Sequence, residues 1–454
     1  MNFETRNPVT GELLEHYDFL TDAQLEDRLE VANIAADAWR YSSFSKRSAL
    51  LKAVALQLQK QRATLAETIS LEMGKLLPEA GVEVDKCISA CNYYADHAES
   101  MLSDELVDTP AQRSLISYEP IGIVLAIMPW NFPLWQVFRC LVPVLMAGNG
   151  LLLKHAPNVP RCAKAIEKIV RDAGAPEGLV TNLTVSVEQT GGVIADPRVR
   201  GVAFTGSEGA GRQIAAIAGQ HLKKVVLELG GSDPFVILAD ADIDKAVNGA
   251  MVSRFSNAGQ ICIAAKRFLV VPERLEEFTA LLLDRVSLLR QGDPMMAETT
   301  IAPMARLDIR EKVHQQVLAS IAEGARPLIG CEPLAGAGFF YAPSVLTDVK
   351  PGMTAYDEEI FGPVAAIVAV RDEEDAITQA NATRFGLGAS VWTQDLDKGE
   401  MMLRRIEVGN AFLNGPVRSD IRMPFGGAKA SGMGRELGAN GIREFCNSKS
   451  IWIE

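Results

Sequence analysis

The sequence predicts an α/β protein: a parallel sheet covered by helices on both faces, followed by a second unit of the same kind. Three observations carry this. Between residues 123 and 231, short apolar runs such as GIVLAIM and LLLKHA alternate with helical stretches, and near-continuous apolar strands separated by helices belong to sheets buried on both faces. After Gly231 a second alternation begins. The chain has 454 residues, 48% of them hydrophobic, which is enough for more than one core.

From about Thr21 to Met101 the apolar residues recur at three and four positions, as in AQLEDRLEVANIAADAW, which predicts amphipathic helices. The rhythm changes near Thr109-Pro110, where RSLISYEPIGIVLAIMPW is β-rich and predicts a strand or hairpin that leaves the main body. Strand and helix then alternate through GIVLAIM, WQVFRCLVPVLMAG, LLLKHA, CAKAIEKIVRDAG, LVTNLTV, a short helix, VRGVAFTGS, GAGRQIAAIAG and KKVVLELGG. A ligand is expected outside the carboxyl ends of such strands. The second unit runs DPFVILADAD, DKAVNGAMVSRF, KRFLVVPE, RLEEFTALLLDRV. The tail NSKSIWIE alternates and predicts a terminal strand that needs a partner, which a neighbouring subunit could supply.

The net charge of −12 argues against a nucleic-acid partner, because neutralising phosphates needs basic surface. No apolar run reaches the roughly 18 residues of a membrane span, and MNFETRNPVTGE has neither a secretory nor a transit signature. A cytoplasmic protein is expected. Seven cysteines at irregular spacing fit neither a disulfide framework nor a metal site, and the five histidines are scattered, so no metal is expected. Cys87 and Cys91 stand four apart on one helical face and predict a buried pair.

Several strand-end residues could carry chemistry. Thr205-Gly206-Ser207 lies between strand and helix, a place suited to a phosphate or merely to a tight turn. Lys154 ends LLLKHA and could reach an anion or simply meet solvent. Glu228 sits inside the apolar run of KKVVLELGG, as a buried base or one half of an ion pair, with Gly230-Gly231 allowing close backbone approach. Asn131 in PWNFP could donate to an oxyanion or cap the next helix. EEIFGPV offers Glu359 to hydroxyls and Phe361 to a flat ring, or Phe361 to the core. Cys262 in NAGQICIAAKRF has no histidine nearby in the chain and stands four positions before Lys266.

Taken together, PWNFP, FTGS, LELGG, GQIC, EEIFGPV and PFGGAKASGMGRE resemble, in order and spacing, the aldehyde dehydrogenase superfamily. The resemblance implies the fold: a Rossmann-like parallel-sheet cofactor domain over 1–108 and 123–230, a second α/β catalytic domain over 231–425, and a small β oligomerisation arm over 109–122 and 436–454. It implies that Cys262 is the nucleophile that forms a thiohemiacetal, that Asn131 and the Cys262 amide form the oxyanion hole, and that Glu228 is the general base. A free thiol of ordinary pKa, about 8.5, is a few per cent thiolate at neutral pH, which would suffice.

By the same resemblance Trp130, Lys154, Ser207, Gly230, Glu359 and Phe361 contact NAD or NADP. Where NAD-preferring members commonly carry a glutamate three residues after the lysine, this chain has Pro157, so dual use leaning to NADP is expected. Within the family the chain looks most like succinate-semialdehyde dehydrogenases, because Arg139 follows Asn131 by eight residues and Ser419 matches a carboxylate-binding serine; Phe132 and Trp135 complete the expected substrate contacts. Ser256 replaces a second arginine and Ala264 a second cysteine, so a local disulfide switch is excluded, while Arg254 or Arg418 could compensate for the missing charge. Glutarate semialdehyde or an uncharged aldehyde is the alternative substrate, and a cysteine hydrolase or acyltransferase the alternative class. A homodimer or homotetramer is implied.

Overall fold

The computed structural model describes residues 2–454. Four helices, Asp22–Trp39, Phe44–Lys60, Arg62–Met73 and Leu77–Met101, form the predicted helical layer. Thr21 opens the first with a reciprocal capping box to Gln24, and Gly74 closes the third in the left-handed region at φ 80°. Cys87 and Cys91 are buried on the fourth, as their spacing predicts.

The first sheet has six strands in the order Gly432–Met433, Lys224–Glu228, Val199–Thr205, Ile123–Met128, Gly150–His155, Val180–Asn182. All neighbours are parallel except the first pair. The chain enters at Ile123–Met128, builds outward to Val180–Asn182, then returns to the other side of the entry strand. The strand order therefore reverses between Ile123–Met128 and Val199–Thr205, and a crevice opens beyond their carboxyl ends. Every residue of Ile123–Met128 is buried, which is why it reads as an unbroken apolar run.

The second sheet has seven strands in the order Arg326–Ile329, Ser344–Thr347, Val364–Ala369, Ala265–Val270, Asp233–Ile237, Gly388–Trp392, Asn410–Leu413, parallel apart from the first pair. Cys262 lies just before Ala265–Val270, at the amino end of that strand rather than the carboxyl end. No helix among the described residues is long and apolar enough to cross a membrane.

The terminal strand finds its partner within the chain, which corrects the expectation that a neighbouring subunit supplies it. Cys446–Ile453 pairs antiparallel with Arg113–Pro120 over eight registered positions, from Cys446 opposite Pro120 to Ile453 opposite Arg113. Glu105–Leu106 adds a third strand on the far side, so Cys446–Ile453 remains an open edge.

Candidate active site

The cysteine loop is built from a run of unusual backbone. After the helix Ile243–Phe255, Asn257, Ala258 and Gly259 have φ of 50°, 52° and 72°. Two adjacent non-glycine residues in this region are costly and persist only where the surroundings over-determine them. Here the Glu79 carboxylate accepts from the Asn257 backbone N–H, Asn257 Nδ2 donates to the Asn131 carbonyl at 2.9 Å, and Gln260 Nε2 donates to the Asn257 carbonyl at 3.0 Å. Arg254 donates to the carbonyls of Gly259 and Ala265. A side chain at Gly259 would run into the Gly362 carbonyl, so close backbone approach is the reason for that glycine. Lys266 donates to the Ile261 and Cys262 carbonyls and pairs with Glu359 at 3.3 Å, fastening the loop from the strand that follows it.

Cys262 is half-buried and opens on a cavity of about 510 Å³ beyond the crevice of the first sheet. Asn131, Glu228, Trp130, Ser207, Gly230 and Phe361 line it as well, and no lining residue is a histidine. Burial pushes the Cys262 thiol up to about 11, with Arg139 and Lys266 pulling the other way. This corrects the expectation of an ordinary thiol. At neutral pH the thiolate fraction is on the order of one in ten thousand, not a few per cent.

Asn131 is buried and spends one side-chain N–H on the Gln260 carbonyl at 2.9 Å, leaving the second. It does not cap the following helix, Trp135–Met146; the Leu134 and Trp135 amides donate instead to Glu83 Oε1 at 2.8 and 2.9 Å. The Cys262 amide has no hydrogen-bond acceptor among the described residues. Asn131 and Cys262, both lining the cavity, thus each keep an N–H without an acceptor among the described residues.

Glu228 is 3% exposed, and neither carboxyl oxygen has a hydrogen-bond partner among the described residues. Burial holds its pKa well above the usual carboxylate range; Arg139 opposes this and Glu436 adds to it. A buried, orphaned carboxyl facing a cavity is a group waiting for water or substrate.

Arg139, the expected carboxylate contact, is buried near the site, and its charge acts on both Cys262 and Glu228. It is 2% exposed, its guanidinium is paired with the buried Glu436 and lies over Phe425 at 4.9 Å, and it does not line the cavity. Arg139 Nε and Glu436 Oε2 meet as a charge pair without hydrogen-bond alignment. Of its guanidinium nitrogens only Nε meets Glu436, and Nη2 reaches the Thr205 hydroxyl at 3.4 Å. Arg254, the proposed compensator, is fully buried in backbone contacts, and Arg418 is exposed.

The expected dinucleotide contacts divide between two hollows. Trp130 and Phe361 meet edge to face at 5.9 Å in the main cavity. There the Ser207 hydroxyl caps the helix Glu208–Gln220 through Ala210 N–H. Glu359 turns inward to the Gly231 amide at 3.2 Å, and a side chain at Gly230 would collide with its carboxylate. Lys154 and Pro157 line a separate hollow of about 90 Å³. No acidic residue lines it, and Lys154 has no ion-pair partner among the described residues.

On the side of Phe132 and Trp135, lysines sit on the rings. Lys75 lies 3.6 Å over Phe132 and is paired with the buried Glu83. Lys86 lies 4.2 Å over Trp135 and donates to Ser419 Oγ at 2.6 Å. Sequence reasoning missed Glu79, Glu83 and Lys86. The available signal was their spacing of four and three in PEAGVEVDK, which stacks three charges along one face of Leu77–Met101. Glu436 was missed because its partner is remote in the chain.

The family model of the aldehyde dehydrogenase family matches residues 1–451. The chain is 45% identical over 453 residues, all of both chains, to a Synechocystis protein named probable succinate-semialdehyde dehydrogenase, NADP(+). It is 44% identical to the succinate semialdehyde dehydrogenase, NAD(P)+, Sad of Escherichia coli, over 98% of this chain and 96% of that one. The crystal structure of succinic semialdehyde dehydrogenase from Streptococcus pyogenes with NADP+ is similar at a TM-score of 0.97 and 39% identity, covering 99% of each chain. The resemblance read from six motifs thus extends over the whole molecule, and the chain belongs to the aldehyde dehydrogenase family.

Proposed function

We propose that the protein oxidises succinic semialdehyde to succinate with NAD(P)+, through a thiohemiacetal and then a thioester on Cys262. The observation that carries this is the sharing of one cavity by Cys262, Asn131 and the orphaned Glu228. Cys262 gives its thiol proton to solvent, and Sγ then attacks the aldehyde carbon. The free N–H groups of Asn131 and Cys262 stabilise the oxyanion. NAD(P)+, when bound, accepts the aldehydic hydride. Ionised Glu228 then takes a proton from water, whose oxygen adds to the thioester; the C–S bond breaks, succinate leaves and the thiol is restored. The histidine-free cavity supports this over a cysteine hydrolase, whose thiol usually has a histidine partner.

The residues present fit a dinucleotide. The cavity lies at a strand-order reversal, Ser207 and Gly209 at the start of Glu208–Gln220 line it, and Lys312 lines it too, beside Arg306 and Arg384, which are paired with Asp308 and Glu208. An unpaired Lys154 in a hollow without acids favours NADP, whose extra phosphate would meet no repulsion there. The relatives named for NADP(+) and NAD(P)+ support that lean.

Copies of the chain assemble as a homodimer or homotetramer through the open edge Cys446–Ile453, where Trp452 is 54% and Ile453 43% exposed. Seven free cysteines fit the reducing cytoplasm. The deciding experiment is a panel of succinic semialdehyde, glutarate semialdehyde and butanal with NAD and NADP separately, followed at 340 nm. The substrate reading requires the highest kcat/KM for succinic semialdehyde; a preference for butanal would overturn it. Light scattering on the purified chain checks the assembly, and a monomer would refute it.

A further inference from the structure

The loop that carries Trp130 and Asn131 runs over residues 129–133, between the strand Ile123–Met128 and the helix Trp135–Met146. Both of its ends hang on one dipeptide, His155-Ala156, where the neighbouring strand Gly150–His155 finishes. At the start of the loop, the Met128 carbonyl accepts from the Ala156 N–H at 3.0 Å. At its end, the Pro133 carbonyl accepts from His155 Nε2 at 2.8 Å. We propose that His155 is a positioning residue, closing this clasp and thereby setting Asn131 as the oxyanion donor. This rests on the aldehyde oxidation at Cys262 proposed above.

His155 lies between Lys154 and Pro157 in KHAP, and of the five histidines it is the only one buried among the described residues. A buried imidazole needs partners for both nitrogens, and here they dictate its form. The Ala156 N–H can only donate, so Nδ1 accepts it, at 2.8 Å. Nε2 therefore carries the hydrogen, which the Pro133 carbonyl can only accept. Burial brings His155 down to about 4, and Lys154 acts in the same direction, so the ring stays neutral at neutral pH.

Pro133 has few other holds. Proline has no N–H, and its carbonyl takes no backbone amide from the helix that follows. The next two amides, of Leu134 and Trp135, go to Glu83. On the other side Asn131 is tied to the cysteine loop, by its own bond to the Gln260 carbonyl and by the Asn257 side chain on its carbonyl. Those bonds fix Asn131 relative to Cys262. The clasp fixes it relative to the first sheet, whose strand Lys224–Glu228 ends in the proposed base. Without His155, the carbonyl of the buried Pro133 loses its donor, and the loop must shift to find another.

The test is a double-mutant cycle on the full-length enzyme, with kcat at saturating succinic semialdehyde and NADP read at 340 nm. His155→Leu lowers kcat roughly 10- to 100-fold by misplacing the donor. Asn131→Ala, which removes it, costs about 100- to 1000-fold. Added to Asn131→Ala, His155→Leu changes kcat by less than about twofold, because the group it places is already gone. His155→Gln, whose amide nitrogen reaches as far as Nε2, recovers most of the loss; His155→Asn, which stops at the reach of Nδ1, does not. The clasp is overturned if His155→Leu slows the Asn131→Ala enzyme by the same factor as the wild type, or if His155→Gln serves no better than His155→Asn. That last comparison, between two amides, still decides should His155→Leu not fold. An Asn131→Ala enzyme of wild-type rate strikes instead at the oxyanion hole, and a wild type that reduces no NADP at the proposed oxidation itself; the clasp falls with either.

Discussion

Cys262 should react with iodoacetamide in a way that reveals how little of it is thiolate. Its thiol is pushed up to about 11 by burial, against about 8.5 for a free cysteine. The thiolate fraction at pH 7 is then on the order of 10⁻⁴ rather than a few per cent, so alkylation of the cofactor-free enzyme should be slower than that of a free thiol by roughly 100-fold. The rate should climb about tenfold per pH unit and bend over only above pH 10. The measurement is clean because the other six cysteines, Cys87, Cys91, Cys140, Cys162, Cys331 and Cys446, are buried. Peptide mass spectrometry after timed quenching gives the rate, with Cys262→Ala as the blank. A plateau below pH 9 would refute the balance struck here between burial, which raises the thiol, and Arg139 and Lys266, which lower it.

Three further outcomes are expected. Glu228→Gln keeps the shape and removes the base, so thioester hydrolysis should slow about 100- to 10,000-fold while a burst of one reduced cofactor per site survives; in the wild type the hydrolytic step should quicken as pH rises, because the raised pKa keeps Glu228 protonated until then. Loss of the burst would assign Glu228 to the first half-reaction instead. Arg139→Met leaves Glu436 as a buried charge without its partner, at a cost of about 3–5 kcal/mol; urea titration should show it, and an undiminished midpoint would mean the pair is not formed. Lys154→Ala should raise KM for NADP by roughly tenfold and for NAD far less, because only the former carries the extra phosphate; equal effects in steady-state kinetics would remove Lys154 from cofactor choice.

Much of this architecture was legible in the sequence because burial on both faces leaves an unambiguous trace. Ile123–Met128 and Asp233–Ile237 are buried throughout and read as plain apolar runs. Cys262, Glu228 and Asn131 were ambiguous one by one, and the resemblance carried by six motifs in order singled them out as a set. The surroundings of Arg139 were not legible for a physical cause: spacing along the chain gives its distance from Asn131 but not its contact with Glu436, which follows it by nearly 300 residues and arrives only when the chain folds back. The pairing of Cys446–Ile453 was open for the same reason, since an alternating tail announces a strand and says nothing about its neighbour.

The turn at Asn257-Ala258-Gly259 has a consequence for how the molecule fails. Its backbone N–H is held by Glu79 from the helical layer and the Asn257 side chain by the carbonyl of Asn131, just past a strand of the first sheet, while Cys262 itself leads into the second. The reactive geometry is thus a property of the seam between two bodies and resides in neither. Loosening that seam by a fraction of an ångström releases the turn long before any helix or strand melts. Turnover should vanish at lower denaturant than far-ultraviolet ellipticity, making the rate at 340 nm a gauge of docking that the spectroscopic signals of secondary structure do not register.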